Sequence, residues 1–530
     1  MLFTSYSFII FIILLFVLYY TIPKKFQWVL LLISSYLFYS LMSIKFLFYI
    51  LFTTITTYFI GIKIGELHNI QTKFLADHKT SLSREEKRSY KALMKSRLWK
   101  WLLGCLLLNF GLLAIAKYTN FTIENINGIF SLIGSTKRLT FWNLALPMGI
   151  SFYTFKTMSY IIDIYRGKYP PENNIFKFAL FVSFFPQLIQ GPISRFDDLS
   201  ETLFMEHSFS KKNLNYGIQR IMWGFFKKMV IADRMLVAVN TIIRDPDAYQ
   251  GVFVFIGMLF YTYQLYADFT GGIDITIGIS EVLGIKVKEN FERPYFSKSI
   301  TEFWRRWHIT MGTWFKDYLF YPLSVWKPML NFGKFTRRKF GNNFGRKLPV
   351  YITTLILWFT TGLWHGANWN FIAWGLTNGI VIIISLECKP FYTWFHNKFK
   401  VERTFGFRLF QIIRTTLLMS AIRLFDLYRD VPMTLRMFGT IFTKPNISVL
   451  FNGSLAKLGL NLSDYFVLFL GFLVLVTISL VQRSGSVRAK IEESHMALGY
   501  ALNYVLIIAI LIFGAYGIGY DASQFIYNQF

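Results

Sequence analysis

Charge is scarce in this 530-residue chain: Asp, Glu, Lys and Arg make up 16% of it, where soluble domains carry about a quarter. The shortage excludes an ordinary soluble enzyme and a disordered chain. Cysteine is nearly absent. Cys105, in an apolar run, and Cys388, beside a basic loop, give neither a disulfide framework nor a metal-ligand spacing. Both read as helix residues, and no metal site is expected. Acidic residues are few, 29 against 56 Lys and Arg, for a net charge of +27. In a soluble protein that excess suggests nucleic acid, but no RNA- or DNA-binding signature is present and no such partner is expected. The excess fits basic loops held against the cytoplasm and anionic headgroups. Soluble-enzyme signatures are missing too: there is no G-x-S-x-G elbow, no H-E-x-x-H, no Walker A and no G-x-G-x-x-G after a strand. The one D-x-D, Asp245-Pro246-Asp247, is more often a turn signal. Internal repeats, low-complexity tracts and long linkers are also lacking, so no soluble domain is set apart.

What is plentiful is apolar. Hydrophobic residues reach 54%, with 58 Phe and 30 Tyr, as where rings meet lipid and its interfaces. The composition predicts an all-α integral membrane protein, with the bilayer as its first partner. The run at 8–20 is followed by Pro23-Lys24-Lys25, which predicts an uncleaved anchor with its N-terminus outside. Runs at 26–41 and 46–62 lead to a basic stretch at 63–100, where Arg84-Glu85-Glu86-Lys87-Arg88 reads as a solvated helix face. Further candidate spans lie near 101–116, 141–158, 176–189, 251–267, 350–363, 371–386, 407–419, 465–481 and 500–518. Several are shorter than the roughly 20 residues that cross the hydrocarbon layer. An amphipathic stretch at 217–236 carries Arg220, Lys227 and Lys228. Broken pieces at membrane depth persist when buried in protein or lining a cavity, so 141–386 reads as a bundle around one.

Two of the seven histidines stand apart. His365 lies in Trp358-Phe359-Thr360-Thr361-Gly362-Leu363-Trp364-His365-Gly366-Ala367-Asn368-Trp369, between two basic loops that should both be cytoplasmic. The segment then enters the bilayer and returns, with His365 near its apex, roughly 25 Å from Pro349 if helical. An imidazole out of water there is neutral and can accept a proton. The competing reading is a structural histidine packed between Trp364 and Trp369; ionisable groups at membrane depth weigh toward function. His308 closes Thr301-Glu302-Phe303-Trp304-Arg305-Arg306-Trp307-His308. Glu302 and Arg306 are spaced to pair on a helix, and the bland alternative is an interfacial anchor of tryptophan and arginine. Asp268 and Asp274, in or beside an apolar run, could line the same cavity.

The stretches 146–169 (LPMGISFYTFKTMSYIIDIYRGKY), 181–195 (FVSFFPQLIQGPISR), 263–269 (YQLYADF), 289–319 (ENFERPYFSKSITEFWRRWHITMGTWFKDYL) and 363–379 resemble membrane-bound O-acyltransferases (MBOAT). The similarity is greatest to the branch of alginate O-acetylation proteins. It implies a ring of tilted, partly broken helices around a central tunnel, with roughly 11–13 membrane segments. On that basis the chain divides into N-terminal helices with a basic cytoplasmic loop (1–140), a catalytic core (141–390), and C-terminal helices with an extracytoplasmic tail (391–530). The resemblance makes His365 the principal catalytic histidine lining the tunnel and His308 the second polar position, usually Asn or His. Glu302, Trp304, Arg305, Trp307, Trp364 and Asp268 count as motif support. The ending Gln524-Phe525-Ile526-Tyr527-Asn528-Gln529-Phe530 is similar to that of the acetylation branch, with Asn528 in place of the usual Phe. It marks Tyr527 as an acyl relay or docking residue.

The implied activity moves an acyl group, acetyl first of all, from a cytoplasmic thioester to an extracytoplasmic polysaccharide or cell-wall polymer. His365 would be the general base, worth typically 10²–10⁴-fold, and His308 could help stabilise the oxyanion. No cofactor is held permanently. The donor is acetyl-CoA or an acyl-carrier protein, and an extracytoplasmic SGNH-type acyltransferase is the implied partner. The site is the bacterial cytoplasmic membrane with both termini outside, since Arg483, Arg488 and Lys490 mark the last loop as cytoplasmic. Rival readings are D-alanyl transfer to teichoic acid and a transporter or flippase with a buried proton relay, which inverted repeats would favour. A polyprenol-dependent glycosyltransferase lacks its large loop with paired carboxylates.

Overall fold

A computed structural model describes residues 5–41, 43–143, 146–493 and 496–516. Every regular element among them is helical. Among the described residues six helices are long and apolar enough to cross a membrane: Ile44–Asp77, Arg84–Leu132, Val252–Val282, Trp369–Glu387, Phe405–Tyr428 and Leu462–Ser484. Tyr6–Thr21 and Gly499–Phe513 are shorter apolar helices. The protein is all-α and multi-pass. The contacts of the described residues gather into two compact units, one within 5–213 with 280–287, and one within 214–279 with 288–493 and 496–516.

The first unit contains α1 (Tyr6–Thr21), α2 (Gln27–Ser40), α3 (Leu47–Asp77), α4 (Arg84–Leu132), α5 (Ile150–Tyr165) and α6 (Ile175–Ser183). α1 exposes Ile10, Ile13, Leu14 and Val17, while α3 and α4 bury Thr53, Thr54, Thr57 and Asn109. Apolar side chains outside and small polar ones between helices is the arrangement lipid favours, because hydrocarbon gives leucine no reason to hide. The basic stretch at 63–100 is mostly helix. α3 continues to Asp77, and Ser83 opens α4 with a capping box to Glu86. Arg84, Glu85, Glu86 and Arg88 are exposed, the solvated face read from sequence.

Two runs read as single spans are interrupted. In 141–158 the helix begins only at Ile150, after Gly149 at φ 73°, where a Cβ would stand 2.2 Å from the Leu188 carbonyl oxygen. In 176–189, α6 stops at Ser183 and Pro186 opens a separate turn, Pro186–Gln190. Proline favours a helix start and cannot supply the N–H that would continue one.

The second unit carries the two candidate histidines, His308 and His365. α7 (Lys211–Phe225) passes through a π-helical turn, Phe226–Ala232, into α8 (Asp233–Arg244), and the long α9 (Val252–Val282) follows. Then come α10 (Ile300–Arg306), α11 (Ile309–Phe315), α12 (Leu348–His365), α13 (Trp369–Glu387), α14 (Phe405–Ile422), α15 (Leu462–Val481) and α16 (Met496–Phe513). α7 and α9 meet backbone to backbone. A Cβ on Gly224 would lie 2.6 Å from the Gly271 carbonyl oxygen, and one on Gly271 would lie 2.8 Å from that of Gly224.

That proximity decides the fate of the basic residues at 217–236. Arg220 lies 2.9 Å from Asp274 and 2.5 Å from Glu289, and Lys227 lies 2.5 Å from Asp274. Lys228 lies 2.6 Å from Asp268 and 2.7 Å from Asp233. Lys227, Lys228, Asp233 and Asp268 are all buried. The helix that reads as amphipathic in sequence therefore has its cations inside, matched by acids, since a lone charge there would be strongly unfavourable.

Candidate active site

His365 is the last residue of α12, and the Gly366 N–H caps the helix on the Gly362 carbonyl at 3.3 Å. Gly366-Ala367-Asn368 turns the chain into α13, so His365 stands at the tip of a helical hairpin, as its flanking loops suggest. The hairpin is tight because glycines line it. A Cβ on Gly375 would be 2.3 Å from the Trp358 carbonyl oxygen, and one on Gly362 would be 2.3 Å from that of Phe371. The half-buried His365 ring is edge-on to Trp364 at 4.9 Å and to Trp374 at 4.7 Å between centroids. On the return helix the ring thus meets Trp374, and Trp369, at the start of that helix, is 56% exposed.

His308 is fully buried, at the junction of α10 and α11, with φ 48° and ψ 53°. A left-handed non-glycine residue is uncommon and costs energy that its surroundings must supply. Here the segment after α9 supplies it. Asn290 O accepts the Ile309 N–H at 2.9 Å, and Glu292 N–H donates to Arg306 O at 2.9 Å. Asn290 Oδ1 accepts from Thr310 N at 3.0 Å and Thr310 Oγ1 at 2.9 Å, and His308 Nδ1 lies 3.3 Å away. The rest of the surroundings are aromatic: Phe269 at 5.0 Å, Phe291 at 6.4 Å and Trp364 at 6.1 Å. The Trp364 indole therefore contacts both histidine rings, which bring α10–α11 and α12 together.

The neighbouring motif residues build this corner. Glu302 pairs with Arg306 at 2.7 Å, one helical turn apart as their spacing suggests. Trp304 Nε1 donates to Asn378 Oδ1 at 3.2 Å. Trp307 is buried with the Arg423 guanidinium 4.3 Å above its ring. Arg305 is exposed. Asp268 belongs to the buried ion cluster of Lys228, whereas its neighbour Phe269 touches His308. Tyr527 lies outside the described residues. Among the described residues no cluster of three His, Cys, Asp or Glu could hold a metal.

Among the described residues Asp274, but neither Asp268 nor a histidine, lines a cavity of 660 Å³ in this unit. Its charged part also includes Arg220, Lys227, Glu289, Glu292, Arg293 and Arg488, and its apolar part includes Trp223, Leu475 and Leu506. Phe291 lies in its wall and forms the ring contact with His308. Asn290, Trp374, Asn378 and Arg423 went unmarked in the sequence. Asn290 lies within a motif-like stretch, but an asparagine has no signal of its own until its partners are known.

The profile of the membrane-bound O-acyltransferase family matches residues 172–428. The chain is 35% identical over 378 residues to the "Probable alginate O-acetylase AlgI" of Pseudomonas syringae pv. tomato, covering 71% of this chain and 64% of that protein. It is 35% identical over 367 residues to the protein of the same name from Pseudomonas putida, covering 69% and 67%. To the "Peptidoglycan O-acetyltransferase" of Helicobacter pylori it is 30% identical over 380 residues, covering 67% and 63%. The chain thus spans about two thirds of the length of these relatives. With both histidines inside the matched segment, the conclusion is that this chain belongs to the membrane-bound O-acyltransferase family.

Proposed function

We propose that this protein is an acyltransferase that takes an acyl group, acetyl first of all, from a thioester and delivers it for O-acylation of an extracytoplasmic polysaccharide or cell-wall polymer. The observation that carries the reading is the contact of His308 and His365 with one indole, Trp364, within the family-matched segment. His365, half-buried at the tip of its hairpin, is the general base. It takes the proton of the acceptor hydroxyl as that oxygen attacks the thioester carbonyl. The C–O bond forms, the C–S bond breaks, and the proton passes to the departing thiolate. Trp364 and Trp374 hold the imidazole from two sides, the kind of orientation on which general-base catalysis depends.

A donor with a long amphipathic arm, such as acetyl-CoA or an acyl-carrier protein, is supported by the cavity behind Phe291. Its charged part suits a polar arm and its apolar part the chain beyond. The acceptor class rests on what the relatives' names say of those proteins. The cytoplasmic membrane, the extracytoplasmic termini and an extracytoplasmic SGNH-type partner belong to the same proposal. The test is His365→Ala in proteoliposomes supplied with labelled acetyl-CoA. Transfer should fall at least about 10²-fold with the protein still folded, and activity within tenfold of the unsubstituted protein refutes His365 as the base.

A further inference from the structure

We propose that Asn290 is a positioning residue that holds His308 in the neutral tautomer whose Nε2 accepts a proton. The inference rests on the functional reading above and deepens it. Two donors, Thr310 N at 3.0 Å and Thr310 Oγ1 at 2.9 Å, converge on Asn290 Oδ1, and the ring nitrogen His308 Nδ1 faces it at 3.3 Å. The imidazole does not decide which way the amide faces. A backbone N–H can only donate, so the Asn290 atom opposite Thr310 N must be the carbonyl oxygen. Asn290 Nδ2 is buried and has no hydrogen-bond partner among the described residues, so nothing draws the amide the other way round.

An amide oxygen can only accept, and the imidazole nitrogen facing it must therefore carry the hydrogen. With Nδ1 protonated, a neutral ring bears its lone pair on Nε2. His308 then receives protons, the opposite of the oxyanion donor that the sequence suggested. The backbone reinforces the arrangement. Asn290 O accepts the Ile309 N–H, and the Glu292–Arg306 hydrogen bond keeps the two segments in register. Together they hold His308 at φ 48°, a conformation that persists only where neighbours over-determine it. Asn290 touches no reacting atom in this account and acts through His308.

The experiment uses the full chain in proteoliposomes with labelled acetyl-CoA as the donor probe. Asn290→Ala should lower kcat about 10²-fold, the scale of a positioned base, with KM for acetyl-CoA unchanged within twofold. Asn290→Asp, which keeps the acceptor oxygen, should recover to within about tenfold of the unsubstituted rate. An alanine variant at full rate overturns the proposal. So does an aspartate variant as slow as the alanine one when both melt like the unsubstituted protein. Should the variants not fold, ¹⁵N spectra of histidine-labelled unsubstituted protein, with His308 assigned by difference against His308→Gln, still decide. A protonated Nδ1 with a bare Nε2 supports the proposal, and the reverse tautomer overturns it. Full activity of His308→Gln would instead remove the functional reading at His308 and leave the tautomer result standing.

Discussion

Gly375→Ala tests how the hairpin holds its histidine. The new Cβ would stand 2.3 Å from the Trp358 carbonyl oxygen and 3.0 Å from Gly362 Cα. Both obstacles are backbone, so no side chain can swing aside. Ordinary carbon contacts lie near 3.5 Å, and α12 and α13 must separate by about 1 Å to restore them. Overpacking of this kind costs about 1–3 kcal/mol, and a backbone obstacle puts this case at the upper end. The functional loss should be larger. Gly375 adjoins Trp374, whose ring meets His365 at 4.7 Å, and a 1 Å misplacement near the chemistry can cost about 10²-fold. Gly375→Ala should therefore reach the membrane, melt several degrees lower in detergent and transfer label about 10²-fold more slowly. Gly104→Ala is the control. Nothing lies within 4 Å of its Cβ, and alanine is favoured over glycine inside a helix by about 1 kcal/mol. If Gly375→Ala melts and transfers normally, the close approach of the two helices is wrong and the argument fails with it.

Lys228→Met leaves Asp233 and Asp268 buried without their shared ammonium, and removing one partner of such a pair costs about 3–5 kcal/mol. The yield of monodisperse protein should fall sharply, and Lys228→Met combined with Asp233→Asn and Asp268→Asn should restore much of it. A single variant with normal yield and melting would show that the cluster contributes little. Tyr527→Phe removes one hydroxyl, and if that phenol relays the acyl group, polymer acetylation in cells should be abolished while Phe525→Leu is tolerated. Normal acetylation by Tyr527→Phe would exclude a covalent relay.

What was legible beforehand follows from short-range physics. An apolar, charge-poor composition demands lipid, and basic loops on both sides of an apolar run demand an entry and a return. His365 at a hairpin tip and the Glu302–Arg306 pair needed nothing more, since the residues concerned lie within a few turns of each other. The interruptions at Gly149 and Pro186 were less visible, because hydropathy registers the apolar run but is blind to the break in its backbone. The surroundings of His308 were not legible at all. Asn290 is 18 residues away, Trp364 lies on another helix, and Asp268 is 40 residues from the Lys228 that neutralises it.

By itself the sequence determined the membrane class and the helical architecture, and it singled out two histidines as candidates, because composition, spacing and motif are local properties. Only the tertiary structure decided which groups meet: glycines let α7 approach α9 and α12 approach α13, and that proximity chose which acids neutralise the buried cations and which indole both histidines touch. Buried polar groups must find partners wherever the packing of helices places them, and no local pattern along the chain records those partners.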